Sequence, residues 1–272
     1  MTPPPGAVRI GAVNYLNTKP LIHRLDELLP AAEIVLDLPS RLADDLAAGR
    51  LDVALIPSIE YLGDPGYRIV SDACIACRGP VLSVKMFSRV PADRIRTLAL
   101  DEGSRTSAAL VQILLHARYA IRPRITALPI GASVDQTSAD AVLLIGDRAI
   151  HAPEGPFAEV WDLGDQWCRW AEIPFVFAMW VAREGVELAD VEAALCAARD
   201  SGVAHIEEIA RREAAALSMT QRECVAYLRD NLHFRLGDAE RQGLEKFFRL
   251  AGELGLTTAG AEFGLFDCKS AG

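Results

Sequence analysis

Strand and helix alternate through the first ninety residues, and no other feature of the chain constrains its fold as strongly. "VRIGAV" (8–13) is a short apolar strand. "PLIHRLDELL" (20–29) follows with Leu21, Leu25, Leu28 and Leu29 at helical spacing, and Pro20 suits a first helical turn, where its missing N–H has no partner to lose. "EIVLDLP" predicts a second strand, "SRLADDLAAGR" a helix capped by Ser40 and stopped at Gly49, and "LDVALIP" (51–57) a third strand. Strands joined through helices in this order pair in parallel, with right-handed crossovers that lay the helices on the sheet faces.

"YRIVSDACIAC" and "VLSVKMFS" (81–88) are further strands, separated by "RGP", a turn signal at which the chain can leave a first lobe. A second alternating unit begins with the strand "IRTLALD" (95–101), the helix "SRTSAALVQILLHARY", the strand "RITALPI" and the strand "ADAVLLIG" (139–146) opening into "DRAIHA". Two units of similar rhythm predict two α/β lobes, residues 1–88 with 175–272 forming one and 89–174 the other. The Trp-, Gly- and Pro-rich stretch 152–174 reads as a structured connection, and "FVFAMWVAR" (175–183) as a long strand carrying the chain back. Amphipathic helices from residue 188 onward are expected to coat the first sheet, and 257–272 reads as an aperiodic tail.

A chain that is 51% hydrophobic and 24% charged can bury a substantial core. Its net charge of −9 opposes nucleic acid or an anionic membrane surface as partner. No apolar run approaches the roughly 20 residues of a membrane span, and "MTPPPGAVRI" lacks the basic start and apolar stretch of a secretory signal, so the expected location is the cytoplasm. There, six cysteines are expected to stay free thiols; the C-x2-C of Cys74 and Cys77 has no second pair with which to build a zinc site. A metal site is not expected. A homodimer is compatible with the sequence, which leaves the oligomeric state open.

Four polar clusters fall at strand ends, where an open α/β sheet presents its ligands. In "GAVNYLNTKP" (11–20), Asn17 or Thr18 can cap a helix, but one cap uses one side chain, and Asn14, Tyr15 and Lys19 make a surplus of hydrogen-bonding groups that suits a cleft. In "IPSIEY", Ser58 can open a short helix or meet a ligand equally well. "DEGSRTS" (101–107) is the most specific: a strand end, Gly103 for a tight turn, then Ser104, Arg105, Thr106 and Ser107 in the first helical turn, where free N–H groups and the positive end of the helix dipole suit a carboxylate or phosphate. In "LIGDRAI", Gly146 ends a strand and Asp147 is the expected cap of the next helix. Ser83, after the "RGP" turn, faces either a lobe or the cleft.

The chain has no G-x4-G-K-[ST] loop, no G-x-S-x-G elbow, no G-x-G-x-x-G after a strand and no H-E-x-x-H. Of five histidines only His151 follows a cleft-edge motif and is a candidate base; the others default to packing. Any catalysis then works by binding, orientation and electrostatics.

The stretches "RIGAVNYLNTKPL", "GRLDVALIPSIEY", "CIACRGPVLSV", "LALDEGSRTS" and "VLLIGDRAI" resemble, in order, the signatures of the menaquinone-biosynthesis chorismate dehydratases of the futalosine route. The resemblance covers residues 8 to 180 and implies an α/β periplasmic-binding-protein-like fold of type II, with two lobes around a ligand cleft, a helical C-terminal region and no cofactor. It implies dehydration of chorismate to 3-[(1-carboxyvinyl)oxy]benzoate. On this chain Asn17 would be the essential residue, with Tyr15, Ser58, Ser83, Ser104, Arg105, Thr106, Ser107, Gly146 and Asp147 around the dicarboxylate. Two other readings stand beside it. One is an enzyme similar to 1,4-dihydroxy-6-naphthoate synthase, which relies on a histidine; the other is a non-catalytic receptor for a small carboxylate.

Overall fold

The computed structural model describes residues 7–257 apart from 152, 154 and 189. The N-terminal segment, the tail from residue 258 and Cys268 therefore lie outside the described residues. Among the described residues, eleven strands, β1 (Arg9–Val13), β2 (Glu33–Asp37), β3 (Val53–Pro57), β4 (Arg68–Cys77), β5 (Val84–Ser88), β6 (Thr97–Asp101), β7 (Arg124–Leu128), β8 (Ala141–Ile145), β9 (Glu159–Asp162), β10 (Phe175–Ala182) and β11 (His233–Arg235), form two sheets. Their orders are β11-β4-β10-β3-β1-β2 and β7-β6-β8-β5-β9.

The two sheets share one plan. In each, the first strand of a parallel unit lies between the second and third: β1 pairs with β2 and β3, and β6 with β7 and β8. Each is then completed by a strand arriving from the other sheet and running antiparallel, β10 between β3 and β4, and β5 between β8 and β9. The expected parallel pairing and the two-lobe α/β architecture are thus present. Val84–Ser88, placed by the sequence pattern in the first lobe, belongs to the second sheet, so the chain crosses at the "RGP" turn itself rather than after residue 88.

Local elements follow the sequence pattern where apolar periodicity is strong and depart from it where packing intervenes. The helix expected from Pro20 is instead a 3-10 segment, Leu16–Ile22, followed by a short α-helix, Leu25–Leu28, with Arg24 at φ 57° between them. The reason lies far along the chain. Gly202, in the helix Val191–Ala204, approaches so closely that a Cβ there would stand 2.0 Å from the Pro20 carbonyl oxygen. Neither Asn17 nor Thr18 caps this segment; Tyr15 holds the cap position without a side-chain bond. Leu38, not Ser40, precedes the helix Pro39–Ala47, with Pro39 in the first turn, while Gly49 at φ 73° ends it as expected. The connection 152–174 contains β9 and the helix Leu163–Ala171, capped by the Asp162 side chain.

The larger apolar cluster runs through both lobes, with Trp167, Trp180, Phe175 and Phe247 among its largest fully buried side chains, and a smaller one around Phe87 and Val142 lies in the second lobe. Cys74 and Cys77 are buried in it on β4 as free thiols. No helix among the described residues is long and apolar enough to cross a membrane.

At the edge of the first sheet remote from the crossovers, Asp52 ties three strands together. It accepts from the Arg9 backbone (2.9 Å) and guanidinium (2.7 Å), and from Arg183 (3.0 Å). Burial alone would raise the Asp52 carboxyl, but these bonds hold it down at about 2. A depressed native value stabilises the fold above the unfolded carboxylate value of about 3.9 and loses that stabilisation as pH falls toward 2. Asp52→Asn is therefore expected to unfold at lower urea than the wild type at neutral pH, with the two midpoints converging below about pH 3; equal midpoints at pH 7 would show that the cluster contributes nothing.

Candidate functional site

The carboxyl ends of the parallel strands of both sheets face each other, and a cleft lies between them. Val13, Pro57, Ile75 and Phe177 supply an apolar wall from the first sheet, and Val84 and Ile145 from the second. Polar groups enter from the loops beyond: Tyr15 and Asn17 after β1, Ser83 before β5, Ser104 and Ser107 after β6, and Gly146 after β8. The antiparallel β5 and β10 begin at this same edge, which is why Ser83 and Phe177 join residues that follow parallel strands.

Each polar group is held by its own backbone. The crossover that carries Ser83 is pinned by Asp162, whose two oxygens accept the Val81 and Leu82 N–H groups at 2.9 and 2.7 Å. Leu82 sits at φ 59°, in the left-handed region, and Gly146 N–H donates to the Ser83 carbonyl at 2.9 Å. Ser104 caps the fifteen-residue helix Arg105–Tyr119 by accepting from Ser107 N–H (3.3 Å). The Ser104 hydroxyl in turn donates to the Ser107 hydroxyl at 2.9 Å, so the Ser107 proton is available to the cleft. The leading N–H groups of that helix have no intrahelical acceptor and lie at the positive end of its dipole. Asn17 accepts from the buried Thr18 hydroxyl at 3.3 Å, which uses its oxygen and leaves the amide N–H2 as donor.

Other expected site residues join the lobes to each other instead of lining the cleft. Thr106 is fully buried; its hydroxyl oxygen accepts from Ile59 N–H at 3.2 Å and meets the Ser58 hydroxyl at 3.3 Å, while Ser58 donates to the Val176 carbonyl at 2.8 Å. Arg105 reaches back to Asp44 (2.7 Å) and Glu60 (3.0 Å), so its charge is matched outside the cleft. Asp147 is the first helical residue of Asp147–Ile150 rather than its cap, and it accepts from Leu16 N–H at 3.2 Å across the lobes. Burial pushes the Asp147 carboxyl upward against that bond. Asp101 accepts from Gly103 and Ile145 N–H groups and pairs with Arg148, fixing the ends of β6 and β8. His151 is exposed and contacts the Leu217 carbonyl at 2.9 Å; it does not line the cleft. Asn14 is exposed, and Lys19 pairs with Glu213 at 3.8 Å.

Among the described residues, the lining thus holds no histidine, carboxylate, lysine or arginine. Tyr15 is its one titratable group, and burial, with Asp101 nearby, raises that phenol further. Two participants carry no sequence signal that distinguishes them: Asp162 reads as an ordinary helix cap, and Phe177 as one apolar residue in a buried strand.

Two pseudo-equivalent α/β lobes with a donor-lined cleft at their crossovers define a periplasmic-binding-protein-like molecule. Solved structures agree: a protein from Archaeoglobus fulgidus (TM-score 0.72, 16% identity, 93% of this chain and 99% of that one) and the periplasmic aliphatic sulphonate binding protein of Escherichia coli (0.61, 16%, 93% and 89%). A Candida albicans protein described as having the generic periplasmic binding protein fold also matches (0.60, 12%, 94% and 92%). The family model described as menaquinone biosynthesis matches residues 8–253, and the chain belongs to that family. A curated relative, the chorismate dehydratase of Thermus thermophilus, is 32% identical over 261 residues, covering 89% of this chain and 94% of the relative.

The lobes pack tightly where the Tyr15 ring lies on Gly146. At φ 70°, a Cβ on Gly146 would stand 2.7 Å from Tyr15 Cζ. Gly146→Ala is expected to cost about 1–3 kcal/mol and to force the lobes apart. The readouts are a lower urea midpoint and a larger radius of gyration in solution scattering; neither changing would contradict the packing.

Proposed function

We propose that this protein is a hydro-lyase that converts chorismate to 3-[(1-carboxyvinyl)oxy]benzoate and water, a step of menaquinone biosynthesis by the futalosine route. Membership of the menaquinone-biosynthesis family and the likeness to the Thermus dehydratase support it. The observation that carries the reading is the cleft lining: neutral donors from both lobes, with no histidine, carboxylate, lysine or arginine among the described residues. Such a cleft suits a substrate that brings its own charges.

Chorismate carries two carboxylates. The helix start at Ser104–Ser107 offers one of them backbone N–H groups, a hydroxyl proton and a favourable dipole, each charge-assisted bond contributing about 1.5–3 kcal/mol. Asn17 from the first lobe and Ser83 from the crossover line the same cleft. An amide is no base at neutral pH, so Asn17 holds the departing C4 hydroxyl in position by donating to it. The C3–H bond breaks with its proton passing to the substrate's own enolpyruvyl carboxylate. Its electron pair enters the ring as the C4–O bond breaks, and the leaving hydroxide takes up that proton as water. Aromatisation supplies the driving force, so orientation and desolvation suffice as catalysis. Thr106, Ser58 and Arg105 hold the lobes together in this arrangement rather than binding substrate. The expected working place is the cytoplasm, in keeping with a biosynthetic role.

Incubation of the purified protein with chorismate alone, followed by ultraviolet absorbance and product analysis, is expected to show the aromatic enol ether; unchanged chorismate would overturn the reading in favour of a receptor. Asn17→Asp is expected to bind chorismate yet turn it over about 100-fold or more slowly, because a donor aimed at the leaving oxygen becomes an acceptor. Full activity in that variant would remove Asn17 from the mechanism.

A further inference from the structure

Tyr227 belongs to the C-terminal helical region, in a stretch whose sequence reads as ordinary amphipathic packing. Its ring is 1% exposed, and its hydroxyl oxygen is fully buried without a completed hydrogen bond. An unsatisfied buried hydroxyl costs stability, and native proteins rarely keep one without a use. The hydroxyl is directed at the side chains of Ser83 and Asn17, the two polar groups that enter the cleft from the crossover and from the end of β1.

The backbone around Tyr227 is built to put it there. The α-helix Gln221–Ala226, opened by a Thr220–Glu223 capping box, widens into a π-turn over Tyr227–Asn231, a distortion that recurs at functional sites. At the far end of that turn the Asn231 amide donates to the Pro80 carbonyl at 2.9 Å. The π-turn is therefore docked on the same crossover that carries Ser83, and Tyr227 cannot move independently of it. Burial raises the phenol well above its ordinary value, so it stays protonated and can act only as a neutral hydrogen-bond partner.

We propose that Tyr227 is a positioning residue for the cleft: when substrate binds, its hydroxyl oxygen accepts one Asn17 amide N–H and so turns the other toward the departing hydroxyl. Asn17 Oδ1 already accepts from Thr18, which fixes the amide and leaves its two N–H donors, one for Tyr227 and one for the substrate. The inference rests on the dehydratase reading.

Tyr227→Phe keeps the ring and deletes only the unpartnered oxygen, so its thermal midpoint is expected within about 2 °C of wild type or above it. With chorismate, kcat is expected to fall about 10- to 100-fold with KM within about threefold, and in an Asn17→Ala background the same change should cost less than about twofold. Wild-type kcat in Tyr227→Phe, or losses that multiply in the double variant, would overturn the inference while leaving the dehydratase reading intact. Wild-type protein that leaves chorismate unchanged would remove that reading instead. A midpoint lowered by more than about 5 °C in Tyr227→Phe would overturn the inference without reference to activity, since it would reveal a structural partner for the hydroxyl.

Discussion

Each sheet of this molecule is completed by a strand delivered from the other. β10 runs antiparallel between β3 and β4, and β5 between β8 and β9, so the chain must cross between lobes twice, at the carboxyl edges of the parallel strands. Everything that lines the cleft follows from that exchange. The crossings bring Ser83 and Phe177 to an edge already occupied by Asn17, Ser104 and Gly146. Separated lobes would each have a polar strand end and no cavity.

Once the edges face each other, charge decides what the cleft can hold. Several ionisable groups near it are already matched: Arg105 by Asp44 and Glu60, Arg148 by Asp101, and Lys19 by Glu213. What faces inward is a set of hydroxyl, amide and backbone donors on an apolar wall, backed by the dipole of a fifteen-residue helix. Preorganised donors of this kind need no reorganisation when charge arrives, and water exclusion strengthens them. An anionic substrate fits such a lining better than a cationic one, despite the protein's net charge of −9.

Much of this was legible in the residues. Val, Ile and Leu runs marked the inner strands because strands buried on both faces are continuously apolar. "DEGSRTS" announced a strand end, a tight turn and a hydroxyl-rich helix start, and Ser104 and Ser107 line the cavity. What stayed hidden was set by contacts distant in sequence. The 3-10 path of Leu16–Ile22 reflects the close approach of Gly202, nearly two hundred residues away. Thr106 and Arg105 sit among the same hydroxyls as Ser104 and Ser107, yet helical rotation turns them to the opposite lobe, a distinction that composition does not carry. β11 is a three-residue edge strand, too short for a period of two to register. Tyr227 looked like core because it is core; only the unpaired oxygen at its tip sets it apart.

The central claim is that no ionisable group of the enzyme performs the proton transfer, because among the described residues lining the cleft the one titratable group is a tyrosine whose phenol is raised further by burial. The pH dependence of kcat for chorismate under saturating conditions tests this directly, since it reports the essential ionisations of the bound complex. A profile that is flat between about pH 6 and pH 9 is the predicted result. A kcat that drops with a single ionisation near the ordinary histidine value of about 6.5 would contradict the account and point to a base supplied by the enzyme.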